Sequence, residues 1–496
     1  MNTKIFDKKV SLSPWQLKHL LADRLLTDSL LRNSVYIMSS TVATAAIGYL
    51  YWIVVAHIYP EHDVGLASAF IAAMTITSTV ASLGIGPTLV QILPHRETGY
   101  AWSLTLNAGM IISTLASLLT GVIVAIALPL FSHQFAILGH HLVYALVFIV
   151  SVPLFTVATL LDQVFVAERV TSKLLVRNTV FAVLKLPLAL LLVQVGALGI
   201  FSSWILALAA TLILARLVLV PGLKRVYCLA LRGLMEQVRS IFSCLAWHHF
   251  ITLGGLIPMY ILPVFVIMRL SAVANAYFYT TWMIGSIFFM VSSAVAMSLF
   301  AEGSHSADDV LRKARSSAVI SGALLCPSML AAFLAGHYIL LLFGPNYAEY
   351  GLPLLIILTF SAVPDAITNI YVSVLRVQRR LRHAALLSLG MALLNLALAW
   401  ILLPMLGIVG AGWSFLIAQV AGSLVAGADI IFIRGHRNPL NFGPQEVPVE
   451  TAEAGFLQLR LNLDQSLPAT PHPDMALLPE DMVAFFSRKE EREPIK

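Results

Sequence analysis

Ionisable side chains are scarce in this chain, and the few that fall inside long apolar stretches are the ones able to do chemistry. Lys185 stands about 12 residues into the stretch 174–195, which is mid-membrane depth at ~1.5 Å per residue if the stretch spans a bilayer. Pro187 follows two positions later and loosens the helix there. An unpaired charge at that depth costs several kcal/mol and calls for a cavity or a partner. Lys185 therefore suits an anionic group such as a phosphate, or a structural role in which it snorkels or pairs with a carboxylate. Arg177 and Asn178 lie nearer the start of the same stretch. Arg177 and Lys185 are rotated by about 80° from each other on a helix, close enough to line one cleft, although Arg177 also reads as a rim anchor. Arg269, at the far end of the seventh stretch, can meet a phosphate or anchor the helix at the interface.

Asp365 follows Pro364 about 14 residues into the stretch 351–375 and is the deepest acid. It can bind a coupling proton or cation, balance Lys185, or cap a helix restarted at Pro364. Asp162 and Glu168, ending the fourth stretch, lie near Arg177 in topology, where a gate salt bridge with Arg177 competes with a solvated rim. His248 and His249 are adjacent, so they point about 100° apart on a helix and are poorly placed to chelate one metal. They suit hydrogen bonding within a cleft, or proton sensing; His140 and His141 read the same way. No metal site is expected.

These residues must be positioned by long apolar helices, because the sequence contains little else. Spanning about 30 Å of hydrocarbon takes roughly 20 apolar residues. Such stretches occur at 34–58, 65–92, 101–130, 141–162, 174–195 and 198–220, then at 241–267, 276–300, 317–343, 351–375, 384–403 and 408–433. If each crosses the bilayer and the amino terminus is cytoplasmic, nearly every Lys and Arg falls on the inside, and Arg269 alone lies outside. The expected fold is an all-α polytopic membrane protein of twelve helices in two six-helix lobes, with both termini cytoplasmic. A composition of 59% hydrophobic and 11% charged residues agrees.

The domains expected are an amphipathic amino-terminal segment (1–33), an N-lobe (34–220), a cytoplasmic linker (221–240), a C-lobe (241–433) and a Pro-rich tail (434–496). The lobes open alike: Val55-Ala-His-Ile-Tyr-Pro-Glu-His-Asp-Val-Gly65 precedes one small-residue helix start, and Val266-Ile-Met-Arg-Leu-Ser-Ala-Val-Ala-Asn-Ala276 precedes the other. Halves with an even number of spans enter the membrane the same way, so a parallel repeat about an axis along the membrane normal follows.

Several function classes are unfavoured. External loops are short and carry few candidate bases or metal ligands, which argues against an enzyme. No P-loop is present, so ATP hydrolysis is not expected, nor is any cofactor. The net charge of +6 reads as topogenic charge beside anionic lipid, not as a nucleic-acid surface. The three cysteines are isolated and imply no disulfide framework.

The chain resembles the multidrug, oligosaccharidyl-lipid and polysaccharide (MOP) exporter superfamily, and within it the Wzx-like polysaccharide or lipopolysaccharide flippases. The resemblance rests on Tyr59-Pro-Glu-His-Asp-Val-Gly65-Leu-Ala-Ser-Ala-Phe, Leu83-Gly-Ile-Gly-Pro-Thr-Leu-Val-Gln-Ile-Leu-Pro94, Arg177-Asn178, Ala276-Tyr-Phe-Tyr-Thr-Thr-Trp282 and Phe343-Gly-Pro-Asn-Tyr-Ala348. It implies an inverted-V fold that alternates between inward- and outward-open states in a bacterial inner membrane. The implied cargo is an undecaprenyl-diphosphate-linked oligosaccharide, with Lys185 and Arg177 meeting the diphosphate. Implied partners are this lipid-linked oligosaccharide, membrane lipids, and glycosyltransferases or a polymerase of the same pathway. Competing readings are a cation-coupled exporter of amphipathic small molecules and a non-transport scaffold of a polysaccharide-synthesis complex docking through its tail.

Overall fold

Apolar runs of this length leave the backbone one way to satisfy its N–H and C=O groups in hydrocarbon, the helix. The computed structural model describes residues 29–96, 98–220, 246–305 and 310–436. The linker 221–240, the tail from 437 and the amphipathic segment up to residue 28 lie outside the described residues. Twelve helices are long and apolar enough to cross a membrane, and no strand occurs among the described residues. In the N-lobe they are α1 (Ser29–Ile58), α2 (Glu61–Ala81), α3 (Gly99–Phe131), α4 (Leu142–Ala167), α5 (Thr171–Leu191) and α6 (Ala197–Leu214). In the C-lobe they are α7 (Ala246–Arg269), α8 (Ala272–His305), α9 (Val310–Leu341), α10 (Pro345–Val377), α11 (Leu381–Leu406) and α12 (Ile408–His436).

The second stretch is not one continuous span, as 65–92 had implied. Leu83 and Gly84 both take positive φ, 49° and 72°, and a separate helix, Ile85–Ile92, follows. Gly84 adopts that conformation at no steric cost, which lets the chain turn and lay the short helix against α4. Proline breaks none of the long helices: Pro187 lies inside α5 and Pro364 inside α10. Asp365 therefore does not cap a restarted helix. At that proline Ser423 Oγ of α12 donates to the Pro364 carbonyl at 3.1 Å.

The repeat is visible in the turns. Arg169 after α4 and Arg379 after α10 take φ of 56° and 57°, and the same pattern of backbone bonds closes both helices. Gly196 before α6 and Gly407 before α12 share φ of 61°. Three residues later, Gly199 and Gly410 leave no room for a side chain: a Cβ would stand 2.1 Å from the Leu192 carbonyl oxygen and 2.5 Å from that of Leu402, respectively. Helix pairing repeats as well, α1 on α5 like α7 on α11, and α3 on α4 like α9 on α10.

All described Lys and Arg side chains except Arg269 and the deep Lys185 sit toward one end of the bundle, here called the basic end; the other is the Glu61 end. Toward the Glu61 end a single apolar core runs through both lobes, joining Trp52, Phe70 and Phe201 to Phe278, Trp282 and Phe415. Toward the basic end the cores part. Leu89, Trp102 and Phe165 belong to a cluster of the N-lobe alone, and Tyr371, Leu375 and Ala385 to one of the C-lobe alone. Within residues 29–436 the two lobes thus share one apolar core at the Glu61 end and have separate ones toward the basic end.

Candidate functional site

The joint is built on α2, the most enclosed span, 83% buried, which packs against α7 and α8. Small residues allow the approach. A Cβ on Gly65 would stand 1.6 Å from the Ala272 carbonyl oxygen and 2.9 Å from the Ala276 nitrogen. Across this contact Asn275 Nδ2 donates to the Gly65 carbonyl at 2.7 Å and to Ser68 Oγ at 3.1 Å. Tyr49 Oη of α1 adds a bond to the Met283 carbonyl at 2.9 Å, and Trp52 lies 4.9 Å from Tyr279. The two helix starts aligned in the sequence therefore meet each other between the lobes, at the Glu61 end.

Glu61 closes the outer edge of this seam. Its carboxylate accepts from Tyr277 Oη of α8 and, at 2.9 Å, from Asn346 Nδ2 of α10. Tyr59 fixes the turn that presents it, donating from Oη to the Ala189 carbonyl of α5 at 2.6 Å. Burial pushes the Tyr59 phenol up to about 12, so it remains a donor at neutral pH. Hydrogen bonds to a charged acceptor are worth about 1.5–3 kcal/mol, less where water competes, and Asn346 is exposed. Glu61→Ala is accordingly expected to raise hydrogen–deuterium exchange over residues 59–65 and 345–350 by roughly tenfold, at 1.4 kcal/mol per decade. Unchanged exchange would show that the seam does not depend on this clasp.

Lys185 is 4% exposed, and its ammonium lies over three rings: Trp204 at 4.4 Å, Tyr51 at 4.8 Å and Phe181 at 5.3 Å. Among the described residues no carboxylate meets it. Each ring contributes about 0.5–2 kcal/mol, against a cost of about 2.5–3.5 kcal/mol for a central charge on insertion scales. Three rings can hold the cation without a counter-ion. Tyr51 Oη is held by Ser203 Oγ at 3.0 Å, whereas the Trp204 indole N–H has no partner among the described residues.

Arg177 sits about 12 Å along the axis from Lys185 and is not in that box. Its guanidinium grips Asp162 of α4 in a fork, Nε to Oδ1 at 2.8 Å and Nη2 to Oδ2 at 2.5 Å. Nη2 also reaches Asn178 Oδ1 at 2.7 Å, and Asn178 Nδ2 donates to Ser40 Oγ of α1 at 3.3 Å. The pair joins helices of one lobe, and Arg177 Nη1 is left buried without a partner among the described residues. Glu168 is not part of it; its carboxylate accepts from Trp102 Nε1 at 2.6 Å.

In the C-lobe Asp365 is 5% exposed and is held by amides, not by a cation. Gln419 Nε2 donates to Oδ1 at 3.1 Å and Asn369 Nδ2 to Oδ2 at 3.0 Å. Thr368 Oγ1 in turn donates to Gln419 Oε1 at 2.8 Å. Arg269 stacks over Trp400 at 4.5 Å at the Glu61 end. His249 is half-buried beside Phe250, and the side chain of His248 lies outside the described residues. His140 and His141 are exposed at the Glu61 end. Among the described residues no cluster of three or more metal-ligating side chains occurs.

Structure therefore joins Arg177, Asn178 and Asp162, keeps Lys185 and Asp365 in separate lobes each with its own neighbours, and leaves Arg269 and His249 apart. Sequence reasoning assigned no role to Glu61, Asn275, Tyr277, Asn346, Trp204 or Gln419. The parallel between the segments ending at Gly65 and Ala276 was the one signal that pointed at the seam.

No family model and no curated protein sequence matches the chain. Solved structures do. A multidrug resistance MATE family transporter of the MOP superfamily in its inward-facing conformation superposes with a TM-score of 0.60 and 14% identity, over 80% of this chain and 96% of that one. The lipid II flippase MurJ in an inward closed conformation gives 0.65 and 10% identity, over 88% and 94%. An outward-facing conformation of a MATE family transporter gives 0.53 and 15% identity. The chain has the fold of the MOP-superfamily transporters.

Proposed function

We propose that the chain carries a lipid-linked oligosaccharide with a diphosphate head from the leaflet at its basic end to the opposite leaflet, by alternating access of its two lobes. The observation that carries this reading is the uneven joint: a polar, small-residue seam closes the lobes at the Glu61 end, while their cores separate toward the basic end. By the positive-inside rule the basic end is cytoplasmic, with both termini there, in a bacterial inner membrane. Lys185 and the free Nη1 of Arg177, with Asn178, receive the diphosphate, and Arg269 meets it at the far side. Lys185 is enclosed in the state described here, so contact with cargo calls for the Tyr51 and Trp204 rings to swing aside during the cycle. Glycosyltransferases or a polymerase of the same synthesis supply and consume the cargo. The likeness to a lipid II flippase supports a lipid-linked cargo.

A second reading, cation-coupled export of amphipathic small molecules, draws on Asp365, a buried carboxylate held by amides where no basic side chain meets it among the described residues. One experiment separates the two. Lipid-linked oligosaccharides are quantified by mass spectrometry with sidedness labelling in cells with and without the protein. Accumulation on the cytoplasmic leaflet after its loss is expected, and Lys185→Ala at normal protein level is expected to reproduce it, with several-fold less externally labelled lipid. An unchanged pool with increased drug sensitivity would favour the second reading.

A further inference from the structure

A groove of about 420 Å³ runs between α10, α11 and α12, within the range of small-molecule sites. The seam is formed by α2 with α7 and α8, whereas this groove is walled by other helices of the C-lobe. Its chemistry is graded along its length. Tyr371, Arg380, His383 and Asp429 lie at the basic end, and Leu386, Leu394 and Val425 line it farther in. From His383 to Leu394 along α11 the span is about 16 Å, the depth of one leaflet's hydrocarbon, half of ~30 Å.

The polar end favours an anion. Its one carboxylate, Asp429, is already occupied by Tyr371 Oη and by Arg380 Nη1 at 3.1 Å. The other N–H groups of Arg380 have no further partner among the described residues, the exposed His383 ring stands close enough to feel the Asp429 carboxylate, and the next residue back, Arg379, is exposed. The apolar part is kept open by small residues. A Cβ on Gly390 would meet nothing within 4 Å, while Gly422 lets Met391 lie flat across the wall. Basic pockets between transmembrane helices are recurrent sites for anionic lipid headgroups.

We infer that this groove binds an anionic glycerophospholipid of the leaflet at the basic end, its phosphate on Arg380 and His383 and one acyl chain between α11 and α12. The groove lies outside the seam helices, and the inference does not rest on the cargo assignment. It is tested by native mass spectrometry of the full-length protein in detergent, titrated with phosphatidylglycerol or phosphatidylcholine of identical acyl chains. Wild type is expected to retain one phosphatidylglycerol several-fold more than phosphatidylcholine. Gly390→Trp, placed where a side chain meets open space, is expected to lose that adduct while remaining monodisperse. His383→Gln is expected to narrow the preference between headgroups without emptying the groove. Equal retention by wild type and Gly390→Trp, or no preference between the two lipids, would overturn the assignment. So would displacement of phosphatidylglycerol by an equimolar amount of undecaprenyl phosphate, which would give the groove to a prenyl chain.

Discussion

Gly65→Ala is expected to abolish transport while leaving the protein in the membrane. The added carbon would lie 1.6 Å from the Ala272 carbonyl oxygen, a backbone atom, so no side-chain rotation relieves the clash. Helix α2 must withdraw from α8 by more than an ångström. That movement breaks the bonds from Asn275 Nδ2 to Gly65 and Ser68 at 2.7 and 3.1 Å. Asn275 is fully buried, and an unsatisfied buried amide costs about 1–3 kcal/mol, to which the steric strain adds. The state joined at the Glu61 end should lose population by roughly a hundredfold, at 1.4 kcal/mol per decade. Spin labels at His62 and Glu349, exposed residues on the two lobes, report it: the distance distribution should lengthen in the variant. Gly48→Ala, where a Cβ meets nothing within 4 Å, is the control and should be silent. An unchanged distribution in Gly65→Ala would remove the seam from the transport cycle.

Arg177→Met should strongly destabilise the N-lobe. It strands Asp162, whose carboxylate is held by the Arg177 fork at 2.8 and 2.5 Å. Removing one partner of a buried ion pair costs about 3–5 kcal/mol, whereas replacing both by neutral groups is often harmless. The single variant should therefore unfold roughly 5–10 °C lower, and Asp162→Asn combined with Arg177→Met should recover most of that loss in detergent. Recovery is the result a strut between α4 and α5 predicts, and failure to recover would deny it. Transport assayed in the double variant then separates the roles: activity returning with stability would take Arg177 out of the cargo path.

The spans were legible because a bilayer imposes one length and one polarity on any helix that crosses it. Even so, 65–92 read as one apolar run, since Leu83 and Gly84 carry no charge to mark the turn and only their φ values reveal it. Depth was legible for Lys185 and Asp365, and burial of both follows from it. Their neighbours were not. Tyr51, Phe181 and Trp204 stand far apart in the sequence, with nothing to link them until three helices bring them round one ammonium. Gln419 is remote in sequence from the carboxylate it holds. Glu61 was hardest to see, because an acid beside Pro60 and His62 in a short turn looks like solvated rim. Its meaning depends on Tyr277 and Asn346, which belong to the other lobe.

The matched turns at Gly196 and Gly407 carry an evolutionary consequence. Two such halves, each able to present a small-residue helix start to a shared axis, approximate a homodimer of six-helix subunits fused into one polypeptide, with Gly65 against Ala272 and Ala276 as its isologous contact. Counting from the nearer matched turn in each case, Gly196 and Gly407 or Arg169 and Arg379, Lys185 falls opposite Leu396, Arg177 opposite Leu387, and Asp365 opposite Phe155. Corners and helix starts are thus held in common while charge is not: the first half has kept or acquired the deep cation and the second the deep acid. The chemistry proposed for this chain falls at positions where its two halves differ.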